Sequence, residues 1–241
     1  MENQKHVQNS FAQGIRDGIP IGLGYLSVSF TFGMLAVAKG LPVWAAVAIS
    51  MTNLTSAGQF AGLDIILASA SYFEMALTQL IINMRYALMS VSMSQKLEKG
   101  VGFFRRLGIA FGITDEIFAV ATTQEGFIGT KYTKALLCAP YIGWTLGTLL
   151  GAVAGKLLPS SFQSALGIAI YGMFIAIIIP AVKKSLPVFV VVLIAVAMSC
   201  LFRYIPCLSG VSGGFVIIIC AVAAAVVGAL WRPLLNEEES Q

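Results

Sequence analysis

A polar stretch between two apolar runs is the first candidate for chemistry in this sequence. Residues 50–60 read SMTNLTSAGQF, with VWAAVAI before them and AGLDIILA after them. Because the whole chain is 58% hydrophobic, this stretch is expected to lie at membrane depth. Irregular backbone survives there only where it is buried in protein or lines a watery cavity, and transporters use such broken helices to present helix ends to substrate. The stretch is therefore predicted to be a substrate site.

The residue types within and near this stretch suit a zwitterionic ligand. A helix that begins near Ser56 and Gly58 would point free N–H groups and its positive dipole end at a carboxylate. Gly58 permits close backbone approach, while Asn53 and Gln59 add neutral hydrogen-bonding groups together with Ser56. Asn83, on a later helix, would extend this polar surface. The ammonium group would meet carbonyls freed by the break, or a carboxylate.

Arg85 lies near the middle of an apolar run at 73–93, beyond easy reach of either end. A charge at that depth is costly and usually faces a cavity or a partner. Asp115 and Glu116 project about 100° apart on a helix, so one could face Arg85 while the other faces water or a neighbouring helix. Asp64 is a third acid at similar depth. An acid that is protonated when desolvated and ionised when paired with Arg85 would couple transport to protons.

Two structural interpretations of these charges remain open. Arg85 could belong to an ion pair that only stabilises the fold. The sequence ITDE at 113–116 could be an ordinary helix start near a surface, with Thr114 as the N-cap and the acids in the first turn.

Composition sets the class of the protein. The chain has 241 residues, of which 58% are hydrophobic and 11% charged, whereas soluble domains have about 45–50% apolar and 25% charged residues. A soluble protein is therefore excluded. The net charge of +4 is small and the basic residues lie in short loops, which indicates membrane topology rather than nucleic-acid binding. The single histidine, His6, is in a polar tail, and the four cysteines have no CxxC spacing, so no metal site or cofactor is predicted.

The apolar runs predict an all-α polytopic membrane protein with about seven or eight hydrophobic segments in a single transmembrane domain at 1–241. The runs lie at 19–38, 43–70, 73–93, 107–123, 134–155, 164–182, 187–202 and 211–230. Residues 1–18 are predicted to form a cytoplasmic N-terminal tail, and residues 232–241 a polar C-terminal tail.

The run at 43–70 is predicted to be a broken or re-entrant helix. Its 28 residues are too few for two crossings, each of which needs about 20. Basic residues in the N-terminal tail and in the loop at 94–106 place both inside, so an even number of crossings separates them. The runs at 19–38 and 73–93 supply two, which leaves none for 43–70. The alternative is one long kinked helix that breaks the charge rule.

The rule that basic loops lie inside conflicts with the apparent number of crossings later in the chain. Three full crossings after the loop at 94–106 would place the basic pair Lys183 and Lys184 outside. Either one of those segments is incomplete, with 107–123 as the candidate, or the rule fails there.

Glycines recur every fourth residue in the run at 134–155. They are Gly143, Gly147, Gly151 and Gly155. Glycines at this spacing form a smooth groove that lets another helix approach closely. The groove is predicted to serve helix packing, either within the chain or with another subunit.

Several motifs together resemble the AzlC-type branched-chain amino acid permeases. They are GIPIGLGYLSVSFTFG, SMTNLTSAGQFAGLDII, NMRYALMS, ITDEIFAVA and GWTLGTLLGAVAG, and the resemblance runs from about residue 14 to residue 180. It implies the large subunit of a two-component bacterial exporter, a multi-pass protein of the cytoplasmic (inner) membrane. It also implies efflux of leucine, isoleucine, valine and methionine with a small hydrophobic AzlD-type partner subunit. This chain has Tyr86 where family members often have histidine, so a histidine-based proton step is not expected.

A secondary, proton-coupled transporter that exports branched-chain and related small apolar amino acids is therefore the predicted function. The alternative is a transporter or channel for another small solute, such as an organic anion, which Arg85 would suit equally. An enzyme is not predicted, since the sequence has no HExxH or GxSxG motif and no histidine in an apolar run. No nucleotide-binding GxxxxGK[ST] motif is present either.

Overall fold

A computed structural model describes residues 7–155, 185–208 and 210–231, together with residues 175, 178, 179, 182 and 183. These residues are mostly helical, which confirms the expected all-α membrane protein. The chain forms two compact units. Unit 1 contains residues 1–60 and 82–167, and unit 2 contains residues 61–81 and 168–241.

The described helices, numbered along the chain, are α1 (Phe11–Ala38), α2 (Val43–Thr52), α3 (Ser56–Leu67), α4 (Tyr72–Lys96), α5 (Phe103–Phe111), α6 (Asp115–Thr123), α7 (Thr130–Ala154), α8 (Leu186–Tyr204) and α9 (Gly213–Trp231). Two short strands, β1 (Val7–Gln8) and β2 (Phe127–Ile128), pair in parallel.

The described part has four helices that are long and apolar enough to cross a membrane, namely α1, α7, α8 and α9. This is fewer than the seven or eight predicted segments. Helix α4 has the length but carries many polar residues; the runs at 43–70 and 107–123 are each divided into two short helices. The run at 164–182 lies almost entirely outside the described residues.

Helix α1 begins earlier than its apolar run indicated. Its first residue is Phe11 rather than Ile19, because the hydroxyl of Ser10 accepts a hydrogen bond from the Gln13 N–H and caps the helix. Residues 11–18 of the predicted tail are therefore helical. The helix ends where Gly40 adopts a φ of 103°, a conformation that favours glycine.

Helices α1 and α7 of unit 1 pack closely along most of their length. At Gly18 of α1, an added Cβ would lie 2.6 Å from the carbonyl oxygen of Leu136. The four glycines of the predicted groove, Gly143, Gly147, Gly151 and Gly155, face α1 atoms of Gly22, Leu26, Phe30 and Met34 in that order. Residue numbers rise together along this contact, so the two helices run parallel, and the groove is filled by the chain itself.

Three parts of unit 1 meet at one end. The strand pair joins Val7–Gln8 to Phe127–Ile128, and Leu97, after the end of α4, forms a parallel bridge to Ile128. The carboxylate of Glu98 accepts hydrogen bonds from the N–H and hydroxyl of Thr130, at 2.9 and 3.0 Å. The start of α1, the end of α4 and the start of α7 therefore lie at the same end of this unit.

In unit 2, a buried acid holds the beginning of the last helix. The carboxylate of Glu74 accepts a hydrogen bond of 2.5 Å from the Ser212 hydroxyl and one of 2.9 Å from the Gly214 N–H. A negative charge near a helix N-terminus is favourable, since it satisfies N–H groups that have no intrahelical acceptor. Glu74 therefore caps α9.

Candidate functional site at two helix breaks

The first break separates α2 from α3 at residues 53–55, within the polar stretch. The side-chain oxygen of Asn53 accepts from the Thr55 N–H at 2.9 Å, and the Thr55 hydroxyl accepts from the Gly58 N–H at 3.0 Å. Asn and Thr favour such local bonds, which compete with helix continuation and cap the next helix. The Gly58 N–H, predicted to meet the ligand, is thus already bonded. Ser56 and Ala57 carry the first N–H groups of α3, which lack intrahelical acceptors.

Gln59 is buried, and its side chain stabilises the backbone of this break. The side chain is 2% exposed, and its amide nitrogen donates to the Asn53 carbonyl at 2.5 Å. It also lies 3.3 Å from the hydroxyl of Ser50, which in turn lies 2.7 Å from the Thr148 hydroxyl on α7. Gln59 therefore satisfies a carbonyl that the break would leave free, and this buried cluster ties both short helices to α7.

The second break separates α5 from α6 at residues 112–114. The N–H of Gly112 bonds back to the Ile109 carbonyl and ends α5, while the Thr114 hydroxyl accepts from the Ile117 N–H at 3.5 Å and begins α6. Thr114 therefore caps α6, as the helix-start interpretation of ITDE predicts. Each nine-residue helix is about 14 Å long, well short of the roughly 30 Å hydrocarbon core.

Arg85 pairs with Asp115 of this second break. The distance from Nη1 to Oδ2 is 2.8 Å, and the two side chains are 48% and 45% exposed. The guanidinium carbon also lies 4.8 Å from the centre of the Tyr86 ring, and Nη2 donates to the Tyr86 hydroxyl at 3.1 Å. The ion pair is thus held on one side by an aromatic ring and remains accessible on the other.

Glu116 has a different partner. Its carboxylate accepts a hydrogen bond from the hydroxyl of Tyr25, whose oxygen lies 2.5 Å from that of Thr114. The two adjacent acids are therefore divided between two helices, Asp115 to α4 and Glu116 to α1. Sequence reasoning missed Tyr25, although it follows Gly18 and Gly22 at helical spacing on the face of α1 that packs against the chain.

Two further predicted site residues are Asp64 and Asn83. Asp64 is exposed and lies in the part of α3 that belongs to unit 2. Asn83 is partly buried on α4. It precedes Arg85 by two residues, and residues two apart on a helix do not share a face.

An apolar cavity of about 230 Å³ lies between the two breaks. Leu54 of the first break and Gly112 of the second both line it; the remaining lining residues are Gly108, Phe111, Ile117, Lys134, Leu137, Cys138 and Tyr141. The hydroxyl of Tyr141 donates to the carbonyl of Met51 at 3.1 Å, which fixes this wall to the end of α2. Sequence reasoning did not locate the cavity, because four separate elements form its walls.

Leu54 also packs into a small buried cluster with Tyr25 and Trp144. The two rings meet edge to face, with centroids 5.3 Å apart. The indole N–H of Trp144 has no hydrogen-bond acceptor among the described residues, although the side chain is only 2% exposed. This cluster connects the first break to the tyrosine that holds Glu116 of the second.

Comparison with known proteins gives a consistent set of relatives. The model of the AzlC protein family matches residues 20–158. An inner membrane protein of Escherichia coli K12, YgaZ, is 26% identical over 238 residues, covering 95% of this chain and 94% of that protein. An uncharacterized membrane protein of Archaeoglobus fulgidus is 32% identical over 175 residues, covering 72% of this chain and 76% of that protein. No solved structure matches.

Proposed function

This chain belongs to the AzlC family of membrane proteins, and we propose that it is a secondary transporter that exports branched-chain and related small apolar amino acids. The observation that carries the proposal is the pair of helix breaks in unit 1, with an apolar cavity between them and an ion pair at one of them. Such breaks are how transporters expose backbone groups to substrate within the membrane. Membership of a transport family also disfavours the enzymatic alternative.

The first break supplies groups for the charged end of an amino acid. The N–H groups of Ser56 and Ala57 and the dipole of α3 suit a carboxylate. Backbone carbonyls at the end of α2 suit the ammonium group. In this proposal Gln59 fixes the geometry of the break, since its side-chain amide donates to the Asn53 carbonyl and to the Ser50 hydroxyl.

The Arg85–Asp115 pair is proposed to couple transport to protons. Asp115 has a cationic partner and is half exposed, whereas Glu116 is bonded to Tyr25. A proton that neutralises Asp115 would free Arg85 to attract the substrate carboxylate, so proton and substrate would alter the same charge balance. Asp115 is therefore the proposed coupling acid, and Glu116 a residue that positions α6 through Tyr25.

We infer that each pair of short helices enters and leaves the membrane on one side. Val7–Gln8, Leu97 and Ile128 lie at the same end of unit 1, so an even number of crossings separates each from the next. Helices α1 and α4 supply two crossings before Leu97, and α2 with α3 then contribute none. Helices α5 and α6, each too short to cross, contribute none before Ile128.

The proposed setting is a bacterial cytoplasmic membrane, with a small hydrophobic AzlD-type subunit as partner. The Escherichia coli relative is named as an inner membrane protein. Helix α8 has no buried residue, so lipid or a partner subunit would have to cover it. These observations support the setting and the kind of partner that the family resemblance implies.

A transporter or channel for an organic anion is the second candidate. The half-exposed guanidinium of Arg85 favours it, since arginine suits carboxylates whether or not they carry an ammonium group. The two candidates differ in which solutes compete for transport.

Efflux from bacterial cells loaded with dipeptides tests the proposal. Leucine, isoleucine, valine and methionine would be followed with and without this protein and the small subunit, and the assay repeated with a protonophore. Faster, protonophore-sensitive efflux of these amino acids is the expected result. Efflux unchanged with both subunits present, or competed only by organic acids, would contradict it.

A further inference from the structure

We propose that the cavity between the two breaks receives the apolar side chain of the exported amino acid, and that Gly112 and Leu137 set the size that it accepts. This rests on the proposed function, because it assigns one part of that substrate to one part of the site. The family resemblance and the sequence motifs identify neither residue.

The position of the cavity supports this assignment. Leu54 lines the cavity and lies two residues before Ser56, where the first N–H groups of α3 begin. Tyr141, on the same cavity wall, donates to the Met51 carbonyl at the end of α2. An amino acid with its charged groups at the first break would therefore have the cavity mouth beside its α-carbon.

The lining chemistry indicates an apolar occupant. Carbon atoms of Leu54, Ile117 and Leu137 form the walls, and polar atoms contribute little of the surface. A cavity of about 150 Å³ can hold benzene, so this open pocket of about 230 Å³ is ample for the four-carbon side chain of leucine. The charged lining residue, Lys134, is exposed and would repel a cationic side chain.

The side chain of Leu137 lies close against the backbone of Gly112. A Cβ added at Gly112 would lie 2.7 Å from Cδ2 of Leu137, which is closer than carbon atoms approach in proteins. The φ of Gly112 is −97°, so alanine fits the backbone there, and the leucine tip would have to move. Gly112→Ala therefore reshapes the cavity without breaking α5, and Leu137→Ala enlarges it.

The first test compares export rates of the two variants, with the small subunit present. We expect Gly112→Ala to lower leucine and methionine export relative to valine by about tenfold, the usual effect of one methylene in an apolar pocket. Leu137→Ala should shift the preference the opposite way, towards larger apolar side chains. The matched control is Gly24→Ala on α1, where an added Cβ has no neighbour within 4 Å.

The second test measures binding without transport. Cys138 lines the cavity and is exposed, so a neutral maleimide should alkylate it in membranes from a variant whose other three cysteines are alanine. Leucine should slow this reaction several-fold, and glycine, which has no side chain to fill the cavity, should not.

The outcomes separate this inference from the proposed function. Protection of Cys138 by leucine without efflux from any variant would support the pocket and overturn the exporter. Efflux with the same leucine-to-valine ratio in all variants, and no protection of Cys138, would overturn the pocket and leave the exporter standing.

Discussion

Removal of the Arg85 charge is the most informative change in the candidate site. Arg85 and Asp115 meet at 2.8 Å, yet each side chain is nearly half exposed. A fully exposed pair contributes about 0–1 kcal/mol, and loss of one partner from a buried pair costs about 3–5 kcal/mol. A half-exposed pair lies between these limits, so Arg85→Ala should cost about 1–3 kcal/mol of stability.

Stability alone does not distinguish an ion pair that supports the fold from one that takes part in transport. The double variant Arg85→Gln with Asp115→Asn removes both charges and keeps two side chains of similar shape. If the pair only stabilises, this variant should recover both folded protein and export. We expect it to recover folded protein but to export leucine at least about a hundredfold more slowly, because neither charge is then present to respond to the proton or the substrate; this factor corresponds to about 2.7 kcal/mol in the barrier.

Two quantities are measured for each variant. Thermal unfolding in detergent measures the folded state, and efflux of leucine from loaded cells, normalised to protein in the membrane, measures function. Near-normal efflux from the doubly neutral variant would refute the proposed coupling role of Asp115 and leave Arg85 as a structural residue.

Three further changes test the surrounding structure. Tyr25→Phe removes the hydrogen bond to Glu116. Export should fall several-fold, while the amount of protein in the membrane stays within a factor of two. Unchanged export would show that Tyr25 does not contribute to the site. Gln59→Leu leaves a buried carbonyl unbonded at the first break and should cost about 1–3 kcal/mol, visible as a lower midpoint of thermal unfolding. Gly151→Leu would overlap the Phe30 backbone and should greatly reduce folded protein, whereas Gly24→Leu, which faces open space, should not.

The first break could be predicted from sequence because its signal is local. A run of small polar residues between apolar runs contradicts a continuous membrane helix, and the break indeed falls at 53–55. The role of Gln59 could not be predicted in the same way. An amide that bonds substrate and one that bonds a freed carbonyl have the same sequence signature, and only the fold shows that Gln59 is buried against Asn53.

The partner of Arg85 depends on tertiary contacts that spacing does not contain. Sequence left Asp64, Asp115 and Glu116 as candidates, since each lies in an apolar run. The structure pairs Arg85 with Asp115, because the start of α6 lies beside α4. Tyr25 and the cavity were missed for the same reason, since each joins residues from separate helices.

Helix boundaries followed local capping rather than hydropathy. The Ser10 cap extends α1 into the polar tail, and the Thr114 cap divides a run that hydropathy alone treats as one segment. The glycine groove faces α1, an occupant that could be identified only from the structure.

Transport by the purified protein with its small subunit, in vesicles with an imposed pH gradient, tests the central claim most directly. We expect leucine to accumulate transiently above its equilibrium level, an ionophore to abolish this accumulation, and the Arg85 variants to lose it. Leucine that only equilibrates, or does not move at all, would contradict a proton-coupled amino acid transporter.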